Sequence, residues 1–376
     1  MPLRSLLLLA FAVVACGGSS PPPAPLRPPD PETARFDAFS PARAWASLEA
    51  LSAMGSRASG TRGARAAREM LRDRLAEASI ESREIVTRVD LDGIEPIELT
   101  HIVADLPGDS AQLFVLVAPY DSSRFDDGEF VGANDDASGA ALLLELARVF
   151  AAYPLPYATR VVFLDGEGRL GRGGEDLQNL RGLGSASFAE LMDEAGELHA
   201  VRLLVSFNRV CDADLRIARD LGSHRIYREE FWKAAARLGY SDVFPPAARF
   251  ESSPGGHEAF RARGLRAVLA IEGSGNGGED VPSGYVDGEA DDLAHCAPES
   301  LEKIGVVTLA ALETIGTRLA KIDRFAQSPL LELENVDPAG DAGAASRGGA
   351  DARAAGDAQD PREGVEPSGP AGPASD

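Results

Sequence analysis

The chain has 376 residues, in which 59 Asp and Glu residues outnumber 37 Lys and Arg residues, so that the formal net charge is −22. Nucleic acids are polyanions, and their protein partners need a basic surface that this composition does not provide. We therefore expect no nucleic-acid partner, and we interpret the acidity as a contribution to solubility.

The first residues form a pattern that is typical of an export signal. Arg4 precedes an apolar run from Leu6 to Ala15, and this run is too short to span a bilayer as a mature helix. Val13–Cys16 resembles a lipobox, in which the cysteine becomes the lipidated first residue after cleavage. Residues 1–16 are thus predicted to be a lipoprotein signal peptide with a lipidated Cys16 that anchors the exported protein to a bacterial membrane in the cell envelope. A plain secretory signal cleaved nearby is the alternative.

Both ends of the remaining chain have compositions that do not support a packed core. Residues 17–35 are rich in proline and predict an extended tether. Residues 327–376 are acidic, rich in Gly, Ala and Pro, and nearly without aromatic side chains, which predicts a disordered tail. Residues 36–326 suit one large α/β domain.

Within that domain, apolar residues recur at helical spacing between Pro41 and Ala78, and Gly55 and Gly60 divide this pattern into two predicted helices. Short apolar runs then alternate with helical segments, as expected for strands buried on both faces of a mostly parallel sheet. The predicted fold class is therefore α/β, with a mostly parallel mixed sheet and helices on both faces. The predicted strands are Ile102–Leu106, Leu113–Ala118, Arg160–Leu164, Leu203–Phe207 and Arg266–Ile271. The helices predicted after the second of these strands are Ala140–Phe150, Tyr227–Leu238 and Pro298–Lys321.

Cys211 and Cys296 are the two cysteines that follow Cys16. In an oxidising compartment they could form a disulfide. Two cysteines without informative spacing are more commonly free buried thiols, so the sequence favours the unpaired state.

In an open parallel sheet, ligands bind beyond the carboxyl ends of the strands. Chemistry is therefore expected in the segments that directly follow the predicted strands, which are Pro119–Ser122, Asp165–Gly168, Asn208–Cys211 and the residues after Ile271.

Several of these segments resemble motifs of the zinc-dependent glutaminyl cyclase and M28 aminopeptidase family. Val131–Gly139, followed by Leu143–Ala147, resembles the second metal motif of that family, and Phe163–Glu167 resembles its acid motif. Cys296–Gly305 is similar to bacterial members of the glutaminyl cyclase branch. The resemblance extends from about Ala42 to Ile315. It implies a zinc-exopeptidase-like three-layer sandwich, a zinc cofactor, and peptide or protein N-termini as partners.

The resemblance also implies roles for individual residues. Asp135 matches the aspartate ligand of the metal, and Glu167 matches the glutamate that acts as general acid and base. Asp287 falls where the family has a late histidine ligand, and it is the second candidate ligand here. The residues that match positions supporting the site are Asp121, Asn208 and His257.

Other positions depart from the family pattern. Pro119 and Gly168 stand where the family has a histidine and a glutamate, and Asn208 stands where it has an aspartate. Zinc prefers nitrogen and sulfur ligands, whereas the remaining carboxylates suit a hard cation such as calcium. Zinc is thus implied by the resemblance, but the donor set predicts weak zinc binding, a different cation, or no metal.

Three of the candidate residues also have structural interpretations. Asp135 lies near a helix start, where a carboxylate can cap backbone amides. Glu167 fits a buried remnant that is hydrogen-bonded to the backbone, which we favour over a proton-transfer base. His257 is interpreted as a structural histidine that supports the site from behind.

Two hypotheses for function follow. In the first, which we favour, zinc catalysis is impaired or lost, and the exported domain is a pseudoenzyme that keeps the scaffold for binding. In the alternative, the protein is an active zinc-dependent glutaminyl-peptide cyclotransferase or aminopeptidase that acts on peptide N-termini.

Overall fold

The computed structural model describes residues 31–125, 130–171, 180–253, 255–273, 288 and 290–326. Several predictions fall on residues outside these ranges: the signal peptide with Cys16, the tether up to residue 30, Asp287 and the tail. Among the described residues, no helix combines the length and the apolar character needed to cross a membrane.

The centre of the fold is a six-stranded sheet. Its strands are β1 Arg83–Val89, β2 Ile97–Leu106, β3 Ser110–Pro119, β4 Tyr157–Leu164, β5 Val201–Asn208 and β8 Val268–Glu272, and their order in the sheet is β1-β2-β4-β3-β5-β8. Strands β4, β3, β5 and β8 are mutually parallel, while β2 pairs antiparallel with β4 and β1 pairs antiparallel with β2. This arrangement confirms the predicted mostly parallel mixed sheet. A separate small sheet pairs β6 Arg219–Asp220 with β7 Phe250–Glu251.

Helices cover both faces of the sheet because the side chains of each central strand alternate between two cores. Leu116 of β3 belongs to the larger core, whereas Val115 and Val117 belong to the smaller one. The helices are α1 Pro31–Ala38, α2 Pro41–Ser52, α3 Arg62–Glu77, α4 Ser138–Ala152, α5 Leu183–Glu194, α6 Arg225–Leu238, α7 His257–Ala262 and α8 Pro298–Ala326. Buried residues of α2, α3, α4, α6 and α8 line the larger core, and Phe188 of α5 and Phe260 of α7 line the smaller one. The result is the expected three-layer sandwich.

The structure differs from the sequence-based expectation in several elements. Strand β1 was not predicted, because most of its residues are exposed or half-buried and it lacks an apolar run. The short helices α5 and α7 were not predicted either. Helix α1 begins at Pro31, inside the segment that was expected to be an extended tether.

The prediction of two free thiols is wrong, because Cys211 and Cys296 form a disulfide with their Cα atoms 4.7 Å apart. Asp212 and Cys296 form an antiparallel bridge, and the Ala297 amide donates to the carbonyl of Cys211 over 2.7 Å. The end of β5 and the start of α8 therefore lie side by side. Their sequence separation of 85 residues gives no indication of this proximity.

Candidate active site

The carboxyl ends of the parallel strands bring the predicted polar residues to one edge of the sheet. Asp121 follows β3, Glu167 follows β4, and Asn208 ends β5. Asp135 lies in the irregular turn Ala133–Ala137 that leads into α4. The predicted metal ligand Asp287 lies outside the described residues.

Asp121 joins the ends of β3 and β4. Its two carboxylate oxygens accept hydrogen bonds from the backbone amides of Glu167 and Gly168, both over 3.1 Å. Burial, aided by the nearby charge of Asp165, raises the pKa of Asp121 well above its usual value, although the two amides oppose this shift. Because both oxygens are bound by the protein, Asp121 positions the Glu167 backbone.

Asp135 is bound by groups that compete with a metal ion for its carboxylate. The side-chain amide of Asn208 donates to Asp135 Oδ1 over 2.8 Å, and an Arg181 guanidinium nitrogen lies 4.0 Å from Asp135 Oδ2. The side-chain oxygen of Asn208 accepts from the Asp136 amide over 2.9 Å, which fixes the orientation of the donor. The N-cap residue of α4 is Ala137, which makes no side-chain cap hydrogen bond.

The side chain of Glu167 reaches the start of α5, where its Oε1 accepts a hydrogen bond from the backbone amide of Ser185 over 2.5 Å. Burial raises the pKa of Glu167 to about 7, and the charge of Glu272 adds to this shift while the hydrogen bonds from Ser185 oppose it. The backbone hydrogen bond agrees with the structural interpretation of Glu167. The pKa is nevertheless in the range in which a carboxyl group transfers protons near neutral pH.

Gly168 occupies the position that matches a glutamate ligand, and its surroundings leave no room for a side chain. A Cβ atom there would lie 2.6 Å from the Ser123 nitrogen and 2.7 Å from the Ser122 carbonyl carbon. Backbone atoms cannot rotate away as a flexible side chain can. The loops that follow β3 and β4 therefore pack too closely for this position to hold the glutamate ligand.

His257 is buried at the start of α7, and its Nε2 lies 3.1 Å from Asp220 Oδ2. Asp220 also accepts from the Ser223 hydroxyl and the Ser253 amide. Burial favours a higher pKa for Asp220, but these hydrogen bonds outweigh burial and lower the pKa below its usual value. His257 is thus buried with Nε2 beside a carboxylate, while its Nδ1 is buried without a hydrogen-bond partner among the described residues.

Arg57 and Asp291 are two site residues that the sequence did not reveal. Asp291 accepts from the amides of Asn134 and Asp135 over 2.7 and 2.9 Å, and burial raises its pKa to about 7. Arg57 is fully buried and donates to the carbonyl oxygens of Tyr120, Val131 and Gly132, among others. Neither residue lies in a motif that the sequence analysis used. Their hydrogen-bond partners are distant in sequence, so local spacing does not indicate these contacts.

The described residues do not form a zinc site. Among them, no group of three His, Cys, Asp or Glu side chains has a geometry that could hold a metal ion, and protein zinc sites use at least about three protein ligands. In addition, the carboxylates of Asp121, Asp135 and Glu167 each accept hydrogen bonds from protein donors.

A mixed sheet with helices on both faces and acidic residues at the strand ends is the architecture of a zinc-exopeptidase-like protein. The sequence model for Peptidase family M28 matches residues 101–312, more than half of the chain. The chain therefore belongs to peptidase family M28.

Individual relatives agree with this assignment over shorter segments. A probable zinc metalloprotease of Pyrenophora tritici-repentis is 31% identical over 148 residues, which are 34% of this chain and 31% of that protein. The bovine glutaminyl-peptide cyclotransferase-like protein is 31% identical over 132 residues, which are 31% of this chain and 34% of the relative. The chain thus matches about a third of the length of these curated relatives.

Solved structures show the same fold over a larger part of the chain. An Acidobacteriales bacterium glutaminyl cyclase superposes with a TM-score of 0.66 at 24% identity, covering 80% of this chain and all of that one (100%). A leucine aminopeptidase precursor from Bacteroides thetaiotaomicron superposes with a TM-score of 0.62 at 20% identity, covering 73% of this chain and 97% of that one. At sequence identities this low, the structural similarity establishes the fold alone.

Proposed function

We propose that this M28 domain binds peptide or protein N-termini on a scaffold whose zinc catalysis is impaired or lost. The observation that carries the proposal is the hydrogen bond from the Asn208 side-chain amide to Asp135 Oδ1 over 2.8 Å. A cation bound to Asp135 would have to displace this donor. It would also have to approach within reach of the Arg181 guanidinium, which lies 4.0 Å from the other carboxylate oxygen.

The surrounding substitutions support the same conclusion. Pro119 has no ligand atom, and Gly168 has no side chain and no room for one. In M28 enzymes a bound zinc ion would polarise the scissile carbonyl or activate a water molecule. In this chain Glu167 retains a carboxyl group that can hold or release a proton, but the ligand positions among the described residues do not fit zinc.

Metal analysis of the purified protein, combined with activity assays, tests the proposal. We expect substoichiometric zinc, no cyclisation of N-terminal glutaminyl peptides, and no release of N-terminal residues at rates typical of enzymes. Binding to a free peptide N-terminus should remain and should be lost when the same peptide is N-acetylated. The control variant is Glu69→Gln, on the exposed face of α3. Zinc-dependent turnover that Glu167→Gln abolishes and Glu69→Gln preserves would overturn the proposal and favour the alternative of an active zinc enzyme.

We also propose that Cys16 anchors the domain to a membrane, with the proline-rich segment as a spacer. The support is the lipobox-like Val13–Cys16 after a short apolar run. A single acyl chain gives only weak attachment, so stable anchoring requires a multiply acylated lipoprotein. Cys16→Ser should release the protein into the soluble fraction or block its maturation, and an unchanged membrane fraction would contradict the anchor.

A further inference from the structure

The disulfide between Cys211 and Cys296 joins two sulfur atoms in different surroundings. Cys211 is completely buried just after β5, whereas Cys296 is half-buried. The chain beside Cys296 lies at the surface, since Ala294 and Glu299 are exposed and the side chain of His295 is 40% exposed. A thiolate that attacks a disulfide must reach one of its two sulfur atoms. Cys296 is therefore the sulfur that a small thiol can reach.

Two acceptor oxygens lie next to the buried sulfur. Cys211 Sγ is 3.3 Å from the side-chain oxygen of Asn134 and 3.9 Å from the carbonyl oxygen of Ala133. A disulfide sulfur has no hydrogen, so neither contact is a hydrogen bond while the disulfide is intact. A thiol has an S–H donor, and a Cys211 thiol would find these acceptors in place. The buried site is thus equipped to hold Cys211 in its reduced form without an unpaired donor.

Asn134 connects this sulfur to the candidate active site. Its side-chain oxygen also accepts from the Cys211 amide over 3.1 Å, and its own amide donates to Asp291 Oδ1 over 2.7 Å. The other oxygen of Asp291 accepts from the Asp135 amide over 2.9 Å. Asp291 lies shortly before Cys296, in the segment that the disulfide fastens to the end of β5. The disulfide therefore helps to hold the carboxylate that positions the Asp135 backbone.

Backbone hydrogen bonds also hold the two segments together. The Ala297 amide donates to the carbonyl of Cys211 over 2.7 Å, and the Ala213 amide donates to the carbonyl of His295 over 2.8 Å. These contacts do not involve sulfur and can persist when the disulfide is opened. Opening therefore loosens this part of the fold without separating the segments.

We propose that Cys296 is a site of reversible modification by low-molecular-weight thiols. The attacking thiolate forms an S–S bond with Cys296, the bond between the two cysteines breaks, and its electron pair leaves with Cys211. Cys211 takes up a proton from water, and the resulting S–H group donates to Asn134 Oδ1. Attack by Cys211 on the mixed disulfide expels the small thiol and restores the original bond, so the cycle needs no oxidant.

The modification also reaches the candidate active site. It leaves the segment with Asp291 held by hydrogen bonds alone, and this loosens the turn Ala133–Ala137 that carries Asp135. Neither cysteine matches a zinc ligand, so the inference does not depend on the loss of zinc catalysis.

Two matched variants test which sulfur is accessible. Both are made in the full chain with Cys16→Ser, which leaves Cys211 and Cys296 as the remaining cysteines. Cys211→Ser then keeps the Cys296 thiol, Cys296→Ser keeps the Cys211 thiol, and both variants lose the same disulfide. Each is treated with glutathione disulfide in buffer and in urea, and the intact mass measures the rate of glutathione addition.

We expect folding to slow the addition to Cys296 by less than about tenfold and the addition to Cys211 by at least about a hundredfold. The reason is that a buried thiol reacts only in molecules that open locally. Equal protection of the two thiols would overturn the proposal, whether both react or neither does.

A measurement on the disulfide-bonded protein remains decisive if a cysteine variant does not fold. The Cys16→Ser protein is treated with reduced glutathione, quenched with acid at successive times, treated with N-ethylmaleimide and digested. Molecules with one glutathione should carry it on Cys296 and the maleimide on Cys211. Comparable amounts of glutathione on Cys211, or no glutathione adduct at any time, would refute the proposal.

Amide hydrogen exchange measures the effect on the candidate active site. The disulfide-bonded protein is compared with the Cys211→Ser protein that carries glutathione on Cys296. The amides of Ala133–Ala137 should exchange at least about threefold faster in the adduct. Strand β1, at the opposite edge of the sheet, should not change and serves as the control. Equal exchange of Ala133–Ala137 in the two proteins would overturn the proposed link between Cys296 and Asp135.

Discussion

The Asn208 amide group donates to Asp135 Oδ1 over 2.8 Å, while the Asn208 side-chain oxygen accepts from the Asp136 amide over 2.9 Å. Asn208 therefore acts as a donor toward one aspartate and as an acceptor toward the backbone of the next. Replacing it by aspartate would keep the acceptor, remove the donor and add a negative charge beside Asp135. This relationship makes position 208 the most direct test of whether the site is built for a protein donor or for a cation.

Asn208→Asp should lower the free energy of unfolding by roughly 1–3 kcal/mol in the presence of a chelator, because two buried carboxylates then face each other without a shared proton or cation. The double variant Asn208→Asp/Asp135→Asn exchanges the amide and the carboxylate, and it should recover most of the loss. Chemical denaturation of the four proteins in this cycle measures the coupling. An Asn208→Asp variant as stable as the unmodified protein without metal would contradict the expected repulsion.

The pKa of Glu167, raised to about 7 from an ordinary value of 4.5, predicts a specific pH dependence. Between these values the folded state holds a proton that the unfolded state has released, so stability falls as pH rises through this window. Glu167→Gln should remove this decline, which amounts to at most about 3 kcal/mol. The measurement is the difference in unfolding free energy between variant and unmodified protein from pH 4.5 to pH 8. A difference that does not change with pH would show that Glu167 titrates normally.

His101 predicts the opposite dependence at acidic pH. It is fully buried, its Nδ1 accepts from the Asp165 amide over 3.3 Å, and its Nε2 lies 2.9 Å from the Thr87 hydroxyl. Burial lowers the pKa of His101 from 6.5 to about 3. The unfolded state binds the extra proton first, so stability should fall as pH drops below 6.5, by up to about 1.4 kcal/mol per pH unit.

His101→Gln should make this acid-induced loss less steep while it lowers stability near neutral pH. His199→Gln, on a short turn before β5, serves as the control. Parallel pH profiles for the unmodified protein and His101→Gln would exclude His101 as the source of the slope.

Arg57 should be the most sensitive of these positions to substitution. It is fully buried and donates to several backbone carbonyls, and it lies near the carboxylates of Asp136, Asp121 and Asp291. Arg57→Met should cost about 3–5 kcal/mol, since it leaves buried acceptors and acidic groups without their cation. Arg65→Met on the exposed face of α3 should change stability by less than about 0.5 kcal/mol. Urea denaturation measures both, and similar losses for the two variants would disprove the central role of Arg57.

The parts of the site that could be predicted are those set by local sequence. Asp121, Glu167 and Asn208 each directly follow or end a buried apolar run, and such runs predict both the strands and the polar residues at their carboxyl ends. The segment after Ile271 was identified for the same reason, although Glu272 itself was not singled out.

The parts that could not be predicted depend on contacts between distant segments. Asp291 binds amides that lie more than 150 residues earlier in the chain, and Arg57 binds carbonyls more than 60 residues later. The exclusion of a side chain at Gly168 likewise arises from the backbone of Ser122 and Ser123. Hydrophobic periodicity contains no information about such pairs, and neither does the spacing of polar residues.

The disulfide between Cys211 and Cys296 turns the intervening part of the chain into a covalent ring. That ring contains His257, its partner Asp220, and Glu272 at the end of β8. A protease that cuts once anywhere between the two cysteines would therefore leave both fragments attached to each other. Such a nicked molecule would migrate as one chain under denaturing conditions and would separate into two pieces only after a reductant is added.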